Sequence, residues 1–282
     1  MISEVSLADP TLAQAPPPGW EGVRLTAPCR HPVIGVPVSV TDYDEVVAAT
    51  LTAARAAVPF LVTALAVHGV VEACTRPDMG RAIAGFDVVT PDGQPVRHAL
   101  NLLQKRRLRD RVYGPTLMLR LCAQAAREGL PIYLYGSTEA VVEKLAAALQ
   151  ARFPGLVVAG REPSVFRPLE AQERRALAAR IRASGARLVF IGLGCPRQEL
   201  FAWENRDLIG LPQICVGAAF DFHAGNKRQA PRWMQDLSLE WLFRLSQEPR
   251  RLFRRYAYTN SVFLLALARQ ILGTRRISED RT

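Results

Sequence analysis

Two apolar runs that each end in glycine constrain this chain most. Leu188 to Ile191 feeds Gly192-Leu193-Gly194-Cys195, and Gln213 to Val216 ends in Gly217, with Phe220, Asp221 and Phe222 just beyond. Both read as buried strands, and in an open α/β sheet ligands bind in the crevice beyond such strand ends. Pro196 suits the first position of a helix, where its missing N–H costs nothing. A helix starting after Gly194 would offer amide groups and positive dipole potential to an anion such as a diphosphate.

The alternation extends upstream. Strand Ile132 to Tyr135 meets Gly136-Ser137, an amphipathic helix follows from Thr138 to Arg152, and Phe153-Pro154-Gly155 turns into strand Leu156 to Ala159. That is one βαβ crossover. Val33 to Val40 reads as a strand or hairpin arm, Thr41 or Asp42 as the cap of a helix to about Ala57, and Phe60 to Val67 as a buried strand. His68 to Cys74 begins another helix, Phe86 to Val89 is a short strand, and Glu170 to Ser184 is a helix before the Leu188 strand. The expectation is an α/β core over 31–226, with a mostly parallel, Rossmann-like sheet and helices on both faces.

The flanks differ. Residues 1–30, with Pro16-Pro17-Pro18-Gly19, read as a flexible leader without the basic start and apolar core of a signal peptide. Residues 227–282 carry 12 Lys/Arg against 5 Asp/Glu, and so +7 of the chain's net +10. They read as a basic helical appendage that either packs on the sheet domain or lies on an anionic bilayer. On a helical wheel from Pro249, Arg250, Arg251, Arg254 and Arg255 fall opposite Leu252, Phe253 and Tyr256. Ser261 to Leu272 reads as a separate apolar helix, too short to span a membrane. Five cysteines, four of them in apolar surroundings and none in a C-x-x-C pair, fit a reducing cytoplasm.

Asp92, in Pro91-Asp92-Gly93, stands beyond a strand end where catalytic groups of α/β enzymes gather, although Asp-Gly is also a common turn pair. Arg97, Arg106, Arg107, Arg109 and Arg111 follow it, either as an anion site or as a solvated helix end. Gln198 and Glu199 lie on the first turn after Pro196, facing a ligand or merely starting a helix. Gly192-Leu193-Gly194 is not a dinucleotide fingerprint, because Arg197 stands at the third glycine position. Asp42-Tyr43-Asp44 resembles a metal-binding D-x-D pair but sits at a helix start, where acids cap. The four histidines have no metal-ligand spacing.

Further segments complete a pattern. They are Val62-Thr63, Arg111-Val112-Tyr113-Gly114-Pro115, Tyr135-Gly136-Ser137, Gly192 to Glu199, Val216 to Gly225, Gln229-Ala230-Pro231, Leu239-Glu240-Trp241-Leu242-Phe243-Arg244-Leu245 and Glu248-Pro249-Arg250-Arg251-Leu252. Together with Pro91-Asp92-Gly93 they resemble the WecG/TagA/CpsF family of bacterial glycosyltransferases over residues 33–260.

The resemblance implies an inverting, metal-independent transfer from a UDP-sugar to a polyprenyl-diphosphate-linked saccharide, with no other cofactor and no nucleic-acid partner. It implies a cytoplasmic protein, peripheral on the anionic inner membrane face, in capsule, exopolysaccharide or related synthesis. Self-association is left open. By position, Asp92 is the general base, and Thr63, Arg111, Gly136, Gly194, Gln198, Glu199 and Asp221 hold substrate. Arg244, Arg250, Arg251, Arg254 and Arg255 engage the membrane or the acceptor diphosphate. Leu65 replaces a frequent Asn and Pro95 a glycine, which implies a donor or acceptor other than in the N-acetylmannosamine case. A non-catalytic nucleotide-binding or membrane-scaffold protein is the alternative.

Overall fold

The computed structural model describes residues 27–105, 107–237 and 239–279. Most of the expected leader, residues 1–26, therefore lies outside the described residues. The chain opens with an antiparallel hairpin, β1 (Arg30–Val33) and β2 (Val36–Ser39). Ile34 and Gly35 between them have φ of 47° and 86°, the left-handed turn that matches strand twist. Helix α1 (Tyr43–Ala56) is capped by Asp42, whose Oδ1 accepts the N–H groups of Asp44 and Glu45 at 2.9 and 3.0 Å. The Asp42-Tyr43-Asp44 stretch is thus a helix cap.

The chain continues through β3 (Phe60–Leu65), α2 (Val67–Thr75), α3 (Pro77–Ala84), β4 (Val88–Pro91), α4 (Gln94–Gln104) and α5 (Gly114–Glu128). The expected crossover follows as β5 (Ile132–Gly136), α6 (Glu139–Arg152) and β6 (Val158–Glu162). After it come α7 (Ala171–Ala183), β7 (Leu188–Gly192), α8 (Arg197–Glu204), α9 (Arg206–Ile209), β8 (Pro212–Cys215) and α10 (Ala219–His223). The six strands after the hairpin form one fully parallel sheet in the order β4-β3-β8-β7-β5-β6.

Each face of this sheet buries its own core. Helices α2, α3, α4, α7, α8 and α9 cover one face, with Leu61, Val89, Val189 and Ile191 pointing into it. Helices α1, α5, α6 and α10 cover the other, over Phe60, Val62, Phe190 and Ile214. Alternate residues of one strand serve opposite faces, which is why these strands are apolar throughout. The hairpin lies beside edge strand β4, where Ser39 Oγ accepts the Val89 N–H at 3.0 Å.

The C-terminal region comprises α11 (Arg232–Asp236), α12 (Glu240–Gln247) and α13 (Pro249–Glu279). The separate helix expected at Ser261 does not exist, because α13 is one continuous helix of 31 residues. Leu252, Thr259 and Phe263, at helical spacing, are buried where α13 meets α2 and the core. Near its far end Gln270 clamps the hairpin, accepting the Ile34 N–H at 2.7 Å and donating to Pro32 O at 2.9 Å. This packing overturns the expected split of faces. Phe253 points outward with the exposed Arg250 and Arg254, whereas Leu252 points inward. No described helix is long and apolar enough to cross a membrane. All five cysteines are free. Only Cys122 and Cys215 are fully buried; Cys29 and Cys74 are exposed.

Candidate active site

The C-terminal ends of β4, β3 and β8 deliver the first group of candidate residues. Strand β4 runs two residues further than expected, so Asp92 follows it directly, and its backbone N–H donates to Leu65 O of β3 at 3.3 Å. Gly114, at the start of α5, donates its N–H to Asp92 Oδ1 at 3.0 Å. A Cβ on Gly114 would stand 3.1 Å from Ala64 Cβ and 3.5 Å from Val216 O, so glycine lets α5 approach both strand ends. Burial pushes the Asp92 carboxyl up to about 6, and nearby Glu240 adds to the rise. Arg111, the Gly114 N–H and Arg244 pull the other way. A carboxyl with that affinity can hold and release a proton near neutrality.

Four side chains close around it. Arg111 Nη2 donates to Glu240 Oε2 at 2.6 Å, and Tyr113 O–H donates to Glu240 Oε1 at 3.0 Å. Arg244 Nη2 lies 3.1 Å from Glu240 Oε1. The Arg111 guanidinium stacks 4.1 Å over the Tyr113 ring and the Arg244 guanidinium 5.2 Å over Phe222. Asp92 and Arg111 are thus brought together, and Arg244, expected at the membrane or the acceptor diphosphate, joins them. Tyr113 and Glu240 lie within the family-like motifs, yet nothing in the sequence assigns them a role. The clue to Glu240 was its place one turn before Arg244, an acid buried in a basic segment.

A second group lies under the ends of β3, β7 and β8. Thr63 O–H and the Gln198 side-chain amide both donate to Glu199 Oε1, at 2.9 and 2.8 Å. Thr63 and Glu199 were expected to line the pocket; both are instead fully buried and bonded to each other. Burial raises the Glu199 carboxyl above its ordinary range, partly offset by the Gln198 and Thr63 hydrogen bonds. Gln198 is 3% exposed, and its Oε1, which has no hydrogen-bond partner among the described residues, faces Gly217.

The glycine loops lie alongside. Gly136 and Gly192 are paired across β5 and β7, and the Phe220 ring packs on Gly192. The helix start differs from expectation. The Cys195–Pro196 peptide is cis, Pro196 precedes α8 rather than opening it, and Gly194 O takes the Gln198 N–H at 3.1 Å. One amide expected for an anion is therefore already used. Asp221 is half-buried on α10, and its carbonyl accepts the N–H groups of Asn226 and Lys227. His223 Nε2 lies 2.9 Å from Pro115 O, tying α10 to α5, and burial lowers its proton affinity.

The terminal arginines do not act as one patch. Arg244 faces Asp92, Arg250 and Arg254 are exposed, and Arg255 is half-buried near His68, whose pKa burial lowers and Arg255 lowers further. The side chain of Arg251 lies outside the described residues. A hollow of about 410 Å³ between α5, α6 and α10 is lined by Leu119, Leu149, Arg152 and His223, among others, and by none of the candidate residues.

An open parallel sheet with a carboxyl of raised pKa, two guanidiniums and glycine loops near its strand ends is the arrangement in which α/β folds gather ligand-binding groups. A family model described as Glycosyl transferase WecG/TagA/CpsF family matches residues 31–277. The chain belongs to that family of glycosyltransferases.

Proposed function

We propose that the protein transfers a sugar from a UDP-sugar, with inversion, to a hydroxyl of a polyprenyl-diphosphate-linked saccharide in cell-surface polysaccharide synthesis. The observation that carries this reading is the Asp92 carboxyl at the end of β4, held by the Gly114 N–H at 3.0 Å and within electrostatic reach of two guanidiniums, Arg111 and Arg244. Asp92 removes the acceptor proton as that oxygen bonds to the anomeric carbon. The bond from that carbon to the UDP oxygen breaks on the opposite face, and UDP leaves with the electron pair. A carboxylate held near 6 is better matched to this task at neutral pH than one at 3.8.

Arg111 and Arg244 meet the charge gathering on the diphosphate, and the burial of Arg111 strengthens its part of that interaction. Gly136, Gly194, Gln198 Oε1 and Asp221 hold the donor, while Thr63 and Glu199 fix Gln198 from beneath. The UDP-sugar is the only co-substrate invoked. Arg250, Arg254 and Arg255 meet the acceptor diphosphate or the anionic inner leaflet, at about 1 kcal/mol for each cation near such a surface. Leu65 and Pro95 favour a donor or acceptor different from the N-acetylmannosamine case.

Asp92→Asn tests the mechanism. The variant should fold, bind UDP by calorimetry, and lose transfer by roughly 100-fold or more. Full activity would remove Asp92 from the reaction. A panel of UDP-sugars, assayed with membranes carrying lipid-linked saccharides, identifies the donor.

A further inference from the structure

The appendage is tied to the catalytic pocket through one side chain. Glu240 opens α12 and is 9% exposed, yet it lies 129 residues from Arg111 in sequence. Its two oxygens serve three partners: Arg111 on Oε2, and Tyr113 and Arg244 on Oε1. Arg111 makes a further contact to the same region, to Gln235 Oε1 of α11 at 3.3 Å. The Arg244 Nε is buried without a hydrogen-bond partner, so its ion pair with Glu240 is the chief polar tether of that guanidinium among the described residues.

We propose that Glu240 is a positioning residue: it aims Arg111 and Arg244 at the pocket and, by its charge, keeps Asp92 a strong enough base. The inference rests on reading Asp92 as the proton acceptor. Charged and titratable groups face Asp92 from three sides. Arg111 and Tyr113 come from the segment before α5, Tyr43 from α1, and Glu240 and Arg244 from α12. Two cations and one anion around a half-buried carboxylate leave the pocket electrically balanced. Without the Glu240 charge, two uncompensated guanidiniums would hold the Asp92 proton less tightly and would no longer share one anchor.

The test is Glu240→Gln, which keeps size and one acceptor oxygen but removes the charge. Carbon-13 NMR of the Asp92 carboxyl, assigned by its loss in Asp92→Asn, gives the titration midpoint whether or not the protein is active. The midpoint should fall by roughly half a pH unit or more. In the transferase assay kcat should drop about tenfold with donor KM nearly unchanged, and the acid limb of the rate profile should move down with the midpoint. An unmoved midpoint overturns the proposal, even if kcat falls, since a mere structural prop would do that much.

Should Glu240→Gln fail to fold, Glu240→Asp withdraws the carboxylate by one methylene and should give a smaller shift in the same direction; an unmoved midpoint there is equally fatal. If the wild-type protein transfers no sugar from any donor, the sugar-transfer reading falls, and the NMR titration still decides the role of Glu240.

Discussion

Asp92 links function to stability through one proton. Its carboxyl sits at about 6 in the folded chain against an ordinary 3.8, so the folded state binds the proton more tightly than the unfolded state. Its stabilising contribution is full below the unfolded value and is lost as pH rises through about 6. Above that, the folded protein carries a partly desolvated anion, at a cost of about 2 kcal/mol after allowance for its partial exposure. Two consequences follow for experiment. The kcat/KM profile should rise through an acid limb near 6, where the base loses its proton. Asp92→Asn should melt higher than the wild type at pH 8, with the gain shrinking at pH 5; equal gains at both would exclude desolvation as the cause. A residue retained at a cost to stability is the usual mark of a catalytic group.

At the level of elements, strand ends decide what the site can tolerate. Gly136 has φ of 128°, and a Cβ there would stand 2.6 Å from the Gly192 backbone. Gly136→Ala must therefore push β5 and β7 apart, and thermal melts should show a loss of about 3 kcal/mol. Gly194, at φ of 76°, has nothing within 4 Å of the added carbon, so Gly194→Ala should cost only about 1 kcal/mol, from backbone strain. If the loop cradles the donor, that variant should fold yet bind UDP more weakly.

The strands were legible because apolar runs bounded by glycine and proline have few alternatives: every strand of the large sheet was anticipated, within about two residues at most ends. The first helix start was legible through its capping chemistry, as Thr41 or Asp42, and Asp42 is the cap; the box that Glu170 closes with Glu173 was not read, although the helix start there was. Thr63 with Glu199 was not legible as a pair, since they meet across 136 residues and nothing local signals it. The same holds for Glu240 and Arg111. Helical wheels also misplaced Phe253, because the side of α13 that turns inward is set by its packing on α2.

For the whole molecule, the C-terminal region does two separable things. Its inward face supplies Glu240 and Arg244 to the pocket. The outward face of α13 shows Phe253, Tyr258, Leu264, Leu265 and Leu272, each at least 60% exposed, beside Arg250 and Arg254. An apolar stripe with cations on one helix face suits the boundary of an anionic bilayer. Truncation after residue 226 should therefore abolish transfer to water-soluble as well as lipid-linked acceptors, because it removes part of the pocket. The combined variant Phe253→Gln, Leu264→Gln and Leu265→Gln should spare water-soluble acceptors while weakening sedimentation with anionic vesicles. Losing three interfacial apolar side chains, at about 1 kcal/mol or more each, predicts a drop on the order of 100-fold in vesicle affinity. Transfer to lipid-linked acceptors should fall with it. Wild-type sedimentation in the triple variant would mean that α13 is not the membrane contact, and equal loss on both acceptor types would mean that its outward face serves the chemistry directly.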